Sequence, residues 1–141
     1  MLDPQTTIEP CLEPIEPVSP PLILIVDDDD DQNTALAYCL KGQGFEVATT
    51  TSGQAARRLV RELHPTLILL DVQLPDDDGL RICADLDEDP VTAEIPVMII
   101  SGAELPHSVR QARMAGGSFY VRKPYDPNAL LVLIQHALDQ L

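Results

Sequence analysis

The chain has 141 residues, enough for one domain with a single buried core, and its formal net charge of −14 argues against nucleic-acid binding, because phosphate contacts require clustered Lys and Arg. No apolar stretch approaches the length of a membrane span, and the N-terminus lacks the charged and apolar regions of a signal peptide, so we expect no membrane partner. The three cysteines show no paired spacing, which predicts reduced thiols and a cytoplasmic protein.

The first 20 residues differ in composition from the rest of the chain. They contain several acidic residues, no basic residue, and five prolines: Pro4, Pro10, Pro14, Pro17 and Pro20. Proline interrupts helix and sheet hydrogen bonding, and few apolar groups are present to offset the entropy of ordering. We predict a disordered N-terminal arm over 1–20, followed by one domain over 21–141. Its repeated Glu-Pro pairs could bind a partner, but a spacer is the favoured interpretation.

From residue 21 onward, strand and helix patterns alternate. Short apolar runs bounded by polar residues predict strands buried on both faces, over 22–26, 67–70, 97–100 and 119–122, and a further strand is predicted over 45–48. Helical spacing, caps and stop signals predict helices over about 31–42, 52–63, 79–88, 106–115 and 127–138. This alternation predicts a doubly wound α/β fold with a parallel sheet and right-handed crossovers.

The apolar spacing also predicts which helix faces are buried. The expected buried residues are Leu36, Cys39 and Leu40 in the first helix, Ala55, Ala56, Leu59, Val60 and Leu63 in the second, and Leu130, Leu131, Leu133, Ile134, Ala137 and Leu138 in the last. The one basic cluster comprises Arg57, Arg58 and Arg61. At helical spacing we interpret it as a solvated helix face.

Polar residues follow four of the predicted strands. Asp27 and Asp28 follow the first, Asp71 the third, Ser101 the fourth and Lys123 the fifth. Because sites in open parallel sheets lie at the carboxyl ends of the strands, we expect these side chains to converge on one pocket. Taken singly, each has an ordinary explanation as a helix start, a turn or a polar strand end.

The predicted pocket has the composition of a magnesium site. Oxygen-only ligands beside a solvated loop suit Mg²⁺, and adjacent carboxylates require a compensating cation. A carboxylate such as Asp71 beside that ion can attack a phosphoryl donor and form an acyl phosphate. The ammonium of Lys123 could stabilise the product oxygens, and the following Pro124 allows a cis peptide bond. No Gly-rich loop follows the first strand, which argues against a mononucleotide site.

These residues, taken in order, resemble a response-regulator receiver domain over about residues 21–141. The resemblance is carried by Val26-Asp27-Asp28, by Leu70-Asp71 with Pro75 and Gly79, by Ile95-Pro96-Val97 before Ser101-Gly102, and by Tyr120 before Lys123-Pro124-Tyr125. It implies a flavodoxin-like three-layer sandwich with a five-stranded parallel sheet in the order 2-1-3-4-5.

The resemblance also implies a role for each site residue. Asp71 would be the phosphoacceptor, and Mg²⁺ would be held by Asp27, Asp28, Asp71 and the backbone carbonyl of Gln73. Lys123 would pair with Asp71 and then with the phosphoryl group. Ser101 would donate its hydroxyl to a phosphoryl oxygen, and Tyr120 would turn inward as the aromatic switch.

The implied function is signalling without catalytic turnover. The phosphoryl group would come from a histidine kinase or a histidine phosphotransfer protein. Output would be a contact with a downstream protein, or onward relay, through the face formed by the fourth predicted helix, the fifth strand and the last helix. Beyond self-phosphorylation from small donors and autodephosphorylation, we expect no enzymatic activity.

Three alternatives remain open. Asp27-Asp28-Asp29 superficially fits the Asp-x-Asp motif of small Mg²⁺-dependent phosphatases with an aspartyl nucleophile, although Asp31 stands where that motif has Thr or Val. A receiver-like scaffold that acts without phosphorylation is the second, and a fragment of a longer protein is the third. Two departures from the family pattern are the acidic run through Asp31 and the small residues Gly102 and Ala103 after Ser101.

Overall fold

The computed structural model describes residues 19–102, 112–114 and 116–140. Its five strands are β1 (Leu22–Val26), β2 (Glu46–Thr50), β3 (Leu67–Asp71), β4 (Val97–Ser101) and β5 (Phe119–Arg122). The helices assigned over these residues are α1 (Asp30–Gly42), α2 (Gly53–Leu63), α3 (Gly79–Glu88) and the C-terminal helix (Pro127–Asp139). All strand pairs are parallel, in the order β2-β1-β3-β4-β5. The predicted fold class and strand order are confirmed.

Alternate strand residues build two hydrophobic cores, one on each face of the sheet. Ile23 and Ile25 of β1 face α1 and the C-terminal helix, whereas Leu24 and Val26 face α2 and α3. Successive side chains of a strand point to opposite faces, so a uniformly apolar strand supplies both cores. The three-layer sandwich follows from this arrangement.

The helix starts match the sequence signals. The side chains of Asp29, Ser52 and Asp126 accept hydrogen bonds from the backbone amides of Gln32, Ala55 and Ala129, so each caps the helix that follows it. The end of α2 is less regular, because His64 occupies a left-handed conformation with φ of 48°.

The strand β2 was predicted too early. It runs over Glu46–Thr50 instead of 45–48, because its parallel pairing with β1 continues to Val26 and Thr50. Phe45 precedes the strand and still packs against the core.

Three of the predicted buried helix residues are exposed: Cys39, Leu63 (41% exposed) and Leu133 (39% exposed). The helices bury narrow stripes against the sheet, such as Leu36, Ala37 and Leu40 in α1, so apolar residues beside the stripe stay in solvent. Ala55, Leu59, Leu131 and Leu138 are partly buried, and the remaining predicted positions are buried.

Two predictions fall largely outside the described residues. The arm predicted over 1–20 is described only at Ser19 and Pro20. Of the helix predicted over 106–115, residues 112–114 are described and are helical. Within the described part of the chain, no helix is both long enough and apolar enough to cross a bilayer.

Candidate functional site

The strand order brings the predicted polar residues to the carboxyl edge of the sheet. Asp27 directly follows β1, and Asp71 is the last residue of its neighbour β3. Both side chains are buried, whereas Asp28 is exposed. One carboxylate oxygen from each of these three residues lies within 4.8 Å of the other two. The structure therefore assembles the three carboxylates that the sequence predicted would converge.

Lys123 reaches into this cluster from the end of β5. Its Nζ lies 3.0 Å from Oδ2 of Asp71 and 3.0 Å from Oδ2 of Asp27. The Lys123 backbone amide donates to the carbonyl of Ser101, and the Lys123–Pro124 peptide bond is cis. Three carboxylates and one ammonium leave two formal negative charges, which a divalent cation would balance. Carboxylate oxygens open to solvent on the Asp28 side are a donor set that suits Mg²⁺.

Backbone groups fix the second oxygen of Asp71. The amide of Gln73 donates to Oδ1 of Asp71 over 3.0 Å. Gly79 packs directly against the Asp71 backbone, and a Cβ at Gly79 would lie 2.1 Å from the Asp71 carbonyl oxygen. The main chain around Asp71 is therefore closely packed, and the role of the Gln73 carbonyl as a metal ligand stays a prediction.

Burial and neighbouring charges shift the pKa values of Asp71 and Lys123. Burial raises the pKa of Asp71, and the neighbouring Asp27 adds to this, outweighing the hydrogen bonds from Gln73 and Lys123. Burial alone would lower the pKa of Lys123, but its hydrogen bonds to Asp71 and Asp27 and their charges raise it. The ammonium is therefore charged at neutral pH. The ionised Asp71 lacks full compensation, which favours a bound cation.

The acidic run after β1 divides into two parts. The backbone amide of Asp29 donates to Oδ1 of Asp27 over 3.0 Å, and the Asp29 side chain caps α1. Asp30 and Asp31 lie in the first helical turn, where the helix dipole favours negative charge. The three-carboxylate cluster therefore takes Asp27 and Asp28 from this run, and Asp29 has a separate capping role.

Ser101 and Tyr120 lie where the sequence predicted, on adjacent strands. Ser101 is the buried last residue of β4, and Tyr120 is a partly buried residue of β5 packed against the α2–α3 core. Residues 103–111, which follow Ser101, lie outside the described residues. A coupled movement of Ser101 and Tyr120 stays a prediction.

Sequence reasoning missed a buried residue at the edge of the site. The Nδ2 of Asn33 donates to the carbonyls of Asp27 over 2.9 Å and Thr50 over 3.4 Å, so α1 is tied to the ends of β1 and β2. The available signal was its spacing, because Asn33 shares the buried face of Leu36 and Ala37.

The arginine cluster of α2 matches the predicted solvated face in part. Arg57 forms ion pairs with Asp77 and Asp85, and Arg61 pairs with Asp89. Both arginines therefore bind acidic residues of α3 and its flanks. The Arg61 side chain is still solvated, as predicted, whereas that of Arg57 is partly buried. Arg58, exposed and 3.8 Å from Glu62 of its own helix, fits the prediction.

Residues 23–135 of this chain match a family model described as the response regulator receiver domain. A polar-differentiation response regulator, DivK of Brucella abortus (strain 2308), is 35% identical over 85 residues, covering 60% of this chain and 69% of the relative.

Solved structures show the same fold. A CheY-like receiver domain protein from Methanospirillum hungatei JF-1 aligns with a TM-score of 0.81 at 25% identity, covering 86% of this chain and 96% of that protein. A putative response regulator from Chloroflexus aurantiacus J-10-fl aligns with a TM-score of 0.80 at 30% identity, covering 85% of this chain and 98% of that one.

Proposed function

The chain belongs to the response regulator receiver domain family, and we propose that it accepts a phosphoryl group on Asp71 as part of a two-component signalling system. The observation that carries this proposal is the position of Lys123, whose Nζ contacts both Asp71 and Asp27 within a cluster of three carboxylates. A buried carboxylate held against a fixed ammonium suits a group that gains and loses a phosphoryl group.

The transfer uses the side chains at the edge of the sheet. A carboxylate oxygen of Asp71 attacks the phosphorus of a phosphohistidine, the phosphorus–nitrogen bond breaks, and the electron pair leaves with the imidazole, which takes up a proton. The product is an acyl phosphate on Asp71. Lys123 then binds a phosphoryl oxygen, and the Ser101 hydroxyl donates to another. Catalysis of this kind depends mainly on positioning and on charge compensation.

Magnesium would be held by Asp27, Asp28, Asp71 and the backbone carbonyl of Gln73. When bound, Mg²⁺ would offset the negative charge of the transferred group. The two uncompensated charges of the cluster and the exposure of Asp28 to solvent support this assignment.

The donor would be a histidine kinase or a histidine phosphotransfer protein, and the receiver would act stoichiometrically. Output would pass to a downstream protein through the face formed by the helix predicted over 106–115, β5 and the C-terminal helix. Met114, 81% exposed, lies in the described part of that helix. We expect the exchange to occur in the cytoplasm, where thiols such as those of Cys39 and Cys83 stay reduced.

Conversion of phosphorylation into a signal would involve Ser101 and Tyr120. The new oxygens on Asp71 favour a position of Ser101 closer to the phosphoryl group, and the space behind it favours an inward Tyr120. Their places at the end of β4 and on the adjacent β5 support this proposal. The change is a population shift between two packings, driven by contacts that only the phosphorylated state makes.

The phosphatase alternative receives less support. An Asp-x-Asp phosphatase would require the Asp29 carboxylate as a general acid near Asp27, but that side chain accepts a hydrogen bond from the Gln32 amide as the cap of α1. The position of Asp29 therefore favours a structural role.

The proposal is tested by intact-mass measurement after incubation with acetyl phosphate. We expect the wild-type protein to gain one phosphoryl group in Mg²⁺ and Asp71→Asn to gain none. Asp30→Asn, which removes an exposed aspartate of the same acidic run, is the matched control and should behave as wild type. Equal modification of Asp71→Asn would overturn the assignment of Asp71.

Two other outcomes would support the alternatives. Steady release of phosphate from a phosphomonoester would indicate a phosphatase. No modification of the wild type by acetyl phosphate or by phosphorylated histidine kinases would indicate a scaffold.

A further inference from the structure

The loop between β3 and α3, residues 72–78, follows the strand that ends in Asp71 and contacts the start of α2. At its base, Gln73 forms an antiparallel bridge with Asp78, and the Gly79 amide donates to the Val72 carbonyl over 2.8 Å. These contacts fold the loop back on itself. They do not tie its tip, Asp76 and Asp77, to the rest of the domain.

The tip is held by the first turn of α2. The Asp76 carboxylate accepts hydrogen bonds from the Gly53 amide over 2.8 Å, from the Gln54 amide over 3.0 Å and from the Ser52 hydroxyl over 3.0 Å. The hydrogen bonds from Gly53 and Gln54 are the main reason that the pKa of Asp76 lies below its usual range. Asp77, next to it, is bound by Arg57 of the same helix.

The contact between loop and helix is close enough to require a glycine. A Cβ on Gly53 would lie 2.6 Å from Cβ of Asp77 and 3.3 Å from Oδ1 of Asp76. Substitution at Gly53 therefore pushes on the loop, and also on the Ile82 side chain of α3 at 2.9 Å, and it removes none of the hydrogen-bonding groups.

We propose that Asp76 is a positioning residue for the phosphoacceptor site: it anchors the 72–78 loop on α2 and thereby orients the Gln73 backbone toward Asp71. The inference rests on the proposed function, because Gln73 donates to Asp71 and is a predicted Mg²⁺ ligand. Asp76 touches neither the metal cluster nor the phosphoryl group and acts through the loop.

The experiment compares backbone amide spectra of the wild type, Asp76→Ala and Gly53→Ala, with and without Mg²⁺. The hydrogen bond from Gln73 to Asp71 should weaken in both variants, seen as a moved resonance and faster hydrogen exchange of the Gln73 amide. Mg²⁺, titrated without a phosphoryl donor, should bind about tenfold more weakly, as when a residue that orients a ligand is removed. Asp76→Asn keeps one acceptor oxygen, so its Gln73 amide exchange and its Mg²⁺ affinity should lie between those of the wild type and of Asp76→Ala.

Asp89→Ala is the matched control. Asp89 also joins α3 to α2, through Arg61, but at the end of α3 that is remote from Asp71. It should lower stability and leave the Gln73 amide and Mg²⁺ affinity unchanged. Urea unfolding of each variant separates loss of folding from loss of positioning.

The outcomes distinguish this inference from the proposed function. An unchanged Gln73 amide and unchanged Mg²⁺ affinity in Asp76→Ala and Gly53→Ala would overturn the positioning role. The same spectral change in Asp89→Ala would also overturn it, because general loosening of α2 would then suffice. Failure of the wild type to be phosphorylated would refute the proposed function, and the comparison of Gln73 amides would still decide the role of Asp76.

Discussion

Gly79 packs so closely against the backbone of Asp71 that the site leaves no room for a side chain there. The steric limit is the Asp71 backbone, since a Cβ at this position would lie 2.1 Å from the Asp71 carbonyl oxygen and 2.8 Å from Cα of Val72. A larger residue therefore displaces the phosphoacceptor strand or the start of α3.

We predict that Gly79→Ala lowers the free energy of unfolding by about 1–3 kcal/mol, the usual cost of overpacking. It should also slow phosphorylation by acetyl phosphate, because Asp71 is displaced relative to Lys123. Urea unfolding and intact-mass kinetics measure the two effects. Gly42→Ala is the control, because a Cβ at Gly42 would meet no atom within 4 Å. Equal stability and equal rate in Gly79→Ala would contradict the prediction.

The site residues differed in how well the sequence could predict them. Asp27, Asp71 and Lys123 were predictable because each ends a strand, and parallel strands bring their carboxyl ends to one edge. Asn33 and Asp76 were not, because their hydrogen bonds depend on how α1 and the 72–78 loop lie against other elements. Strand-end position is a local property of the sequence, whereas these contacts are set by tertiary packing.

At the scale of elements, ion pairs connect α2 with α3 and the residues that flank it. Nε of Arg57 lies 3.0 Å from Asp77, and its Nη1 lies 2.7 Å from Asp85. Burial alone would raise the pKa of Asp77, but hydrogen bonds from Arg57 and the Asp78 amide, together with the Arg57 charge, lower it. A carboxylate with a lowered folded-state pKa stabilises the fold above its unfolded pKa, and this contribution is lost as the pH falls through the folded value.

We predict that Arg57→Met lowers the free energy of unfolding by about 1 kcal/mol at pH 7, as expected for a partly exposed ion pair. The difference from wild type should begin to shrink as the pH falls below the ordinary aspartate pKa of about 4, and it should vanish only once the pH has passed the lower folded-state pKa of Asp77. Urea unfolding at several pH values measures it. Arg58→Met is the control, because the ion pair of the exposed Arg58 is with Glu62 of its own helix and does not reach α3. A difference that stays constant down to pH 2 would mean that Arg57 acts through packing alone.

Helix existence was easier to predict than helix burial. The caps Ser52 and Asp126 marked helix starts that the structure confirms, because a capping side chain acts within one turn. Cys39 and Leu133 were misassigned because apolar character alone does not tell which side of a helix meets the sheet. That choice depends on the angle at which the helix packs.

At the scale of the whole molecule, the fold follows from the strand pattern. Four short apolar runs, those of β1, β3, β4 and β5, supply both cores, and the crossovers place α1 and the C-terminal helix on one face with α2 and α3 on the other. The net charge of −14 belongs to the whole chain, and the domain contributes carboxylates that form ion pairs at the site and between α2 and the region of α3. Such charge favours a partner with a basic docking surface.

The last prediction concerns the N-terminal arm. The first sheet contacts of the described chain are a hydrogen bond from the Glu46 amide to the Pro21 carbonyl and one from the Leu22 amide to the Thr66 hydroxyl. The family match begins only at residue 23. Among the described residues, both cores are built from residues at or beyond Ile23, and we propose that 21–141 folds as a unit without the arm.

Deletion of residues 1–19 should therefore change the free energy of unfolding by less than about 0.5 kcal/mol, the usual range for changes away from packed regions. Phosphorylation of Asp71 by acetyl phosphate should proceed at the wild-type rate, because the site lies at the opposite edge of the sheet from the start of β1. Urea unfolding and intact-mass kinetics of the shortened chain test both expectations. A loss of several kcal/mol would show that the arm packs on the domain. A changed phosphorylation rate at equal stability would instead assign the arm a part in donor access.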